Sequence, residues 1–157
     1  MPKDDIQVHG LDEIVKNMRA LPVAMRKKPA RSALGKAAKV IREQAKTNAL
    51  AVDDSETGRK IADNMIQRFR GKHHKRTGDL MISVGVGTEK GRIPKGNPDT
   101  GPKGNTPHWH LVEEGTEHAP AQPFLRPAAM SHGAKALEVF ATELNKALDK
   151  LTKKGSK

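Results

Sequence analysis

The chain has no cysteine and no tyrosine, and among its 157 residues only Trp109, Phe69, Phe124 and Phe140 are aromatic. Without cysteine there are no disulfides, no thiolate chemistry and no cysteine-ligated zinc. With so few large rings the core has to be small and aliphatic, which leaves apolar surface for neighbouring subunits to cover. No stretch approaches the roughly 20 apolar residues of a membrane span. The first ten residues are polar and acidic, with no apolar leader. The expectation is a soluble protein made without Sec-type export and with no membrane partner.

What is abundant is positive charge. Lys and Arg number 29 against 18 Asp and Glu, a formal +11, enough to attract DNA, an acidic partner or an anionic surface through the long-range field. The length suits a single domain over residues 1–157, with a core of about residues 10–152.

Periodicity organises that domain. Leu11, Ile14, Val15, Met18 and Leu21 recur at helical spacing up to Pro22. From Val23 to Ala49 a longer helix is expected, with Ala30, Ala33, Leu34, Ala37, Ile41, Ala45 and Asn48 along one stripe. Arg26, Lys27, Lys28, Lys36, Lys39, Arg42 and Lys46 mark the rest of its surface. After the polar break "VDDSETG", two apolar patches flank the basic "GKHHKRTGD", which reads as a hairpin of strands near Met65 to Phe69 and Leu80 to Val86. The first strand has a helical alternative, because Ile61, Met65 and Phe69 also fit that spacing. Residues 88–107, rich in Gly, Pro and Lys, read as a flexible loop. "HWHLVEEG" reads as a third strand. A final amphipathic helix starts near Phe124 and carries Met130, Ala134, Leu137, Phe140 or Ala141, Leu144, Leu148 and Leu151, with a frayed tail "TKKGSK". The expected fold is α+β: a small antiparallel or mixed sheet of three to four strands, packed by the long N-terminal helix and the C-terminal helix.

Few residue sets carry chemistry. His108 and His110, two apart on a strand, would leave one face and could chelate a metal. A third ligand, His118 or Glu114, would be in reach only if the turn folded back, and no HExxH spacing is present. Glu113 and Glu114 would point to opposite strand faces and could not share acid/base work. There is no serine elbow, phosphate loop or dinucleotide fingerprint, and "GVGTEKG" lacks the helix and lysine of a phosphate cradle. No cofactor, metal or catalytic residue is therefore expected. Lys72, His73, His74, Lys75 and Arg76 form a positive cluster at the expected hairpin tip. They suit backbone phosphates, with no aromatic interleaving for base stacking.

The stretch "HLVEEGTEHAPAQPFLRPA" resembles the signature of the tail-component family of long-tailed, lambda-like bacteriophages, the head-tail joining or tail-completion proteins of the neck. The signature falls on Leu111, Val112, Glu113, Gly115 and Thr116, then on Pro120, Ala121, Pro123, Phe124, Leu125, Arg126, Pro127 and Ala128. The long basic helix leading into Thr57, Gly58 and Ile61, and the "TGDLMISVGVG" strand, are similar to that family as well. The segment from Glu89 to Pro107 matches least.

The resemblance implies a non-enzymatic structural protein of the virion. It would form a homo-oligomeric ring, six-fold, which completes the tail and joins it to the head connector. Its partners would be the connector and the tail-terminator or tail-tube proteins, with genomic DNA passing through the lumen. It would reside in the neck at the top of the tail, and in the host cytoplasm during assembly. Phe124 and Leu125 are then expected to anchor the connection into the last helix, Pro123 and Pro127 to restrict its backbone, and Arg126 to pair with Glu113. Lys72 to Arg76, with Lys90, Lys95 and Lys103, are the expected DNA or partner contacts. Alternatives are a tail terminator or other minor tail component, or, in a different class, a non-specific basic DNA-binding protein of phage assembly.

Overall fold

The computed structural model describes residues 11–52, 60–87 and 106–154. Its elements, in chain order, are α1 (Leu11–Arg19), α2 (Val23–Leu50), a 3-10 turn (Ile61–Asn64), β1 (Met65–Phe69), α3 (Gly71–Thr77), β2 (Ile82–Val86), α4 (Trp109–Glu114) and α5 (Leu125–Lys154). The fold is α+β, with β1 and β2 in a two-stranded antiparallel sheet. Among the described residues no helix is long and apolar enough to cross a membrane.

The chain divides into two compact units, and α2, the strands and α5 each contribute residues to both. The first comprises residues 1–38, 69–82 and 134–157, the second residues 39–68 and 83–133. In the first, Ile14 of α1 packs with Ala30 and Ala33 of α2 and with Ala141, Leu144 and Leu148 of α5, and Met18, Leu21, Leu80 and Phe140 close the cluster. Alanine at the α2 seam lets its backbone approach its neighbours closely. The turn out of α1 is held by Arg26, whose Nε donates to the Leu21 carbonyl at 2.6 Å and whose Nη2 donates to the Arg19 carbonyl at 3.0 Å. The Arg19 carbonyl is one of the helix-end acceptors that have no intrahelical donor, and the Leu21 carbonyl belongs to the turn that follows. In the second unit, Ala45, Ala49, Ile61, Ala62, Met65, Phe124 and Ala128 form the core, with Ile41, Val52, Val84, Val86, Trp109, Val112 and Leu125 packed against it.

Both long helices and both strands of the expected hairpin are present, and Met65 to Phe69 adopts the strand. Three expectations are corrected. The segment expected as a third strand is the helix α4: Val112 and Gly115 donate to the carbonyls of His108 and Leu111, the four-residue spacing of a helix. The expected sheet of three to four strands is therefore, among the described residues, a sheet of two. Trp109, Val112 and Glu113, the half-buried and buried positions of α4, stand at i, i+3 and i+4, a helical period that a short reading of alternation missed.

The expected hairpin tip is likewise the helix α3. The connection from Arg70 to Met81 is too long for a tight turn. It fills with two helical turns ended by Gly78, whose φ of 81° is the left-handed conformation of a helix stop.

In α5 the predicted stripe holds only in part. Ala141, Leu144 and Leu148 are buried, whereas Met130 is 81% exposed and Leu137 42%. The helix continues to Lys154, through the start of the expected frayed tail. Most of the expected loop, residues 88–105, lies outside the described residues, as do residues 53–59 with Thr57 and Gly58, and residues 155–157. At the loop's far end Thr106 is fully buried and accepts a hydrogen bond from Asn64 Nδ2 at 3.0 Å.

Candidate functional site

The residues of the signature converge on the start of α5. Gly115 ends α4 with φ 79°, and a Cβ there would sit 2.7 Å from the Ala121 amide nitrogen, so two stretches of backbone meet where no side chain fits. The returning chain is fixed by Thr116, which donates from its amide to the Ala119 carbonyl at 2.8 Å. Its hydroxyl oxygen accepts from the amides of Ala119 at 3.0 Å and His118 at 3.2 Å. The Gln122 amide then donates to the Val112 carbonyl at 2.8 Å. This loop places the Glu113 side chain against the first turn of α5.

Glu113 is 8% exposed and its carboxylate is fully engaged. Oε2 accepts from the amides of Phe124 at 2.7 Å and Leu125 at 2.9 Å, and Oε1 accepts from the Arg126 amide at 3.0 Å. A helix begins with four amides that have no intrahelical acceptor. In α5 three of them go to Glu113, and the fourth does not exist, because position 127 is proline. Proline here removes a donor as well as fixing φ. Burial pushes the Glu113 carboxyl upward. The hydrogen bonds from Leu125, Phe124 and Arg126, helped by the Arg126 charge, outweigh it and hold the group below the ordinary value. The expected pairing of Arg126 with Glu113 is thus corrected: the hydrogen bond comes from the Arg126 backbone, and the guanidinium adds only its field.

Two residues complete the clamp. The Asn48 amide Nδ2 donates to the Phe124 carbonyl at 3.1 Å, and Asn48 Oδ1 accepts from Gln44 Nε2 at 2.8 Å. Phe124 itself has no exposed surface and stands in the core of the second unit, and Leu125 packs against that core. Asn48 was legible only as a polar residue on an alanine seam. Half-buried in that stripe, its amide makes a specific bond to the start of α5, and no feature of the sequence named that partner.

The basic cluster has a different geometry. On α3, Lys72, Lys75 and Arg76 stand at i, i+3 and i+4, hence on one helix face, and all three are exposed. His74 is held below them: its Nδ1–H donates to the Asp79 carbonyl at 3.0 Å, and its ring lies 5.8 Å from that of Phe69. Over the Phe69 ring, 3.9 Å from its centroid, sits the Arg31 guanidinium, a cation the sequence reading did not single out. His73 is half-buried, and its carbonyl accepts from the Thr77 hydroxyl at 3.1 Å. Lys90, Lys95 and Lys103 lie outside the described residues.

The histidines near Trp109 do not converge. In α4, residues two apart are separated by about 200° around the axis, so His108 and His110 diverge, correcting the shared strand face. The His110 ring stands edge-on to Trp109, centroids 5.9 Å apart. Glu113 and Glu114 are neighbours on a helix, with Glu113 committed to amides and Glu114 exposed. Among the described residues no group of three or more His, Cys, Asp or Glu could hold a metal ion.

Comparison with known proteins accords with the signature. The model of a family described as "Bacteriophage HK97-gp10, putative tail-component" matches residues 12–115, about two thirds of the chain. The match takes in α1 to α4 with Glu113 and Gly115, and stops short of the α5 half of the clamp. Comparisons with curated proteins and with solved structures returned no match. On the strength of that match and the clamp it runs into, the chain belongs to the HK97-gp10-like family of bacteriophage tail components.

Proposed function

We propose that this tail component is a structural subunit of the phage neck, assembled as a closed ring that completes the tail and joins it to the head connector. The observation that carries the ring is the outward apolar face of α5. Met130 and Leu137 are seven residues apart on one side of the helix, and Ala134 lies exposed between them. Apolar side chains exposed together on one face of an ordered helix fit a surface that a neighbouring copy would cover. The likeness of residues 111–128 to head-tail joining proteins supports the position in the particle. The role requires no catalysis, and the carboxylate of Glu113 serves as a helix cap.

Cryo-electron microscopy of intact virions tests the proposal. A closed ring of this chain between the connector and the first tail-tube ring is the expected result. Density elsewhere in the tail would leave a minor tail component and refute the joining role.

A further inference from the structure

Charge is not spread evenly along this chain. The first unit contains eighteen Lys and Arg against eight Asp and Glu, a net +10, whereas the second contains eleven against ten, a net +1. Nearly the whole +11 of the protein therefore belongs to one unit. Within it some cations are internally matched: Lys36 and Lys146 both bind Glu143. Lys72, Lys75 and Arg76 are not. Among the described residues none of the three has an ion pair, and like charges three and four residues apart on a helix repel.

The scaffold under these cations is nonetheless well tied. The His74 amide donates to the Arg70 carbonyl at 3.0 Å, the Gly78 amide donates to the His74 carbonyl at 2.9 Å, and the Asp79 amide donates to the Thr77 hydroxyl at 3.1 Å. Arg31 adds a guanidinium fixed over Phe69 beside this turn. A short helix held firmly in a self-repelling state is what a preformed anion surface requires, because a bound polyanion turns the repulsion into attraction.

We infer that the exposed face of α3, with Arg31, binds the phosphate backbone of double-stranded DNA without reading its sequence. The aromatic inventory favours duplex over single strands. Single-strand binders stack bases on exposed rings, and the only aromatic residues of this unit are Phe69, occupied by Arg31 and His74, and Phe140, packed on the core. Phosphate contacts alone position a protein on a duplex and carry no base information. The inference stands apart from the neck position, since a subunit found elsewhere in the tail could bind duplex equally well.

The test is fluorescence anisotropy of the full chain with a labelled mixed-sequence duplex of about 30 base pairs, in salt from about 50 to 200 mM. Binding is expected, with the logarithm of affinity falling linearly against the logarithm of salt. The triple variant Lys72→Gln, Lys75→Gln, Arg76→Gln is expected to make that slope shallower by about 3, roughly 1 per phosphate contact, and to lose tenfold or more in affinity, on the order expected for lost backbone contacts. A control that removes the same charge from the second unit, Lys39→Gln, Lys46→Gln, Lys60→Gln, is expected to lose less than about threefold. Circular dichroism checks that both variants keep the fold. If the triple does not, Lys72→Gln alone is expected to make the slope shallower by about 1. Absence of duplex binding at low salt, equal losses in the two triples, tighter binding of a single strand, or equal competition by polyglutamate of matched charge would each overturn the inference, the last in favour of an acidic protein partner.

Discussion

Glu113 Oε2 lies 2.7 Å from the amide nitrogen of Phe124, and the same oxygen takes the Leu125 amide at 2.9 Å. One buried carboxylate on α4 thereby supplies the acceptors that the start of a 30-residue helix lacks. Hydrogen bonds to a charged group contribute about 1.5–3 kcal/mol each, and buried donors left without a partner cost a further 1–3 kcal/mol or so. Glu113→Ala is expected to lower the unfolding free energy by about 3 kcal/mol or more, with Glu113→Gln intermediate because its amide offers one acceptor oxygen. Urea denaturation measures both. A loss below about 0.5 kcal/mol for the alanine variant would show that water replaces the cap.

Acid should remove the same contribution. The folded carboxyl lies below the ordinary glutamate value of 4.5, so the folded state binds fewer protons than the unfolded state through that range. The stabilisation is present above 4.5 and lost as pH falls through the lower folded value. Thermal midpoints recorded from neutral pH downward should drop more steeply in the parent than in Glu113→Gln, which has no proton to take up at this position. Parallel curves would assign the acid sensitivity to other carboxylates.

Two glycines share a positive φ but differ in ψ, −12° at Gly78 and 175° at Gly115, and in what surrounds them. Gly115 at 79° would place a Cβ 2.7 Å from the Ala121 nitrogen, whereas Gly78 at 81° has nothing within 4 Å. Gly78→Ala should cost only the left-handed penalty, about 1–2 kcal/mol. Gly115, with ψ 175°, lies instead in an extended positive-φ region open essentially to glycine, so Gly115→Ala carries a larger backbone penalty plus displacement of the 115–122 loop, and should cost at least about 1 kcal/mol more. Equal effects in a denaturation series would mean that the loop yields freely and that its contact with Gly115 holds nothing.

How far these features were legible follows from how local their causes are. The long helices announce themselves because Ala30, Ala33, Ala37 and Ala45 repeat over many turns, and β2 because Ile82, Val84 and Val86 alternate without interruption. Helix α4 has fewer than two turns, and over so short a stretch the alternation of His108, His110 and Val112 is as good a pattern as the helical one. What decides it is the Gly115 stop and the burial of Glu113, a polar residue whose partners lie eleven to thirteen positions away. The signature residues were identifiable as a group, but their mechanism was not. The resemblance led to an expected side-chain pair between Glu113 and Arg126, and only the fold shows backbone amides taking that place. Arg31 was invisible for the same reason, since its partner Phe69 lies on another element.

The outward face of α5 yields the last prediction. Met130 at 81% exposure contributes almost nothing to the stability of the isolated subunit, so Met130→Asp should change the unfolding free energy by less than about 0.5 kcal/mol. If a neighbouring copy covers that face, the same substitution buries an unpaired carboxylate in an apolar contact, which costs several kcal/mol per interface. In a closed ring the defect recurs at every contact. Complementation of a phage lacking this gene should therefore fail with Met130→Asp and with Leu137→Asp, whose side chain shares the face, while purified Met130→Asp melts close to the parent and Leu137→Asp, partly covered within the subunit, melts lower but stays folded. Leu144→Asp, at a fully buried position of the same helix, should instead unfold the subunit. The contrast between a stable subunit that cannot assemble and one that cannot fold distinguishes an interface from a core. Infectious particles formed by both surface variants would show that this face stays in water.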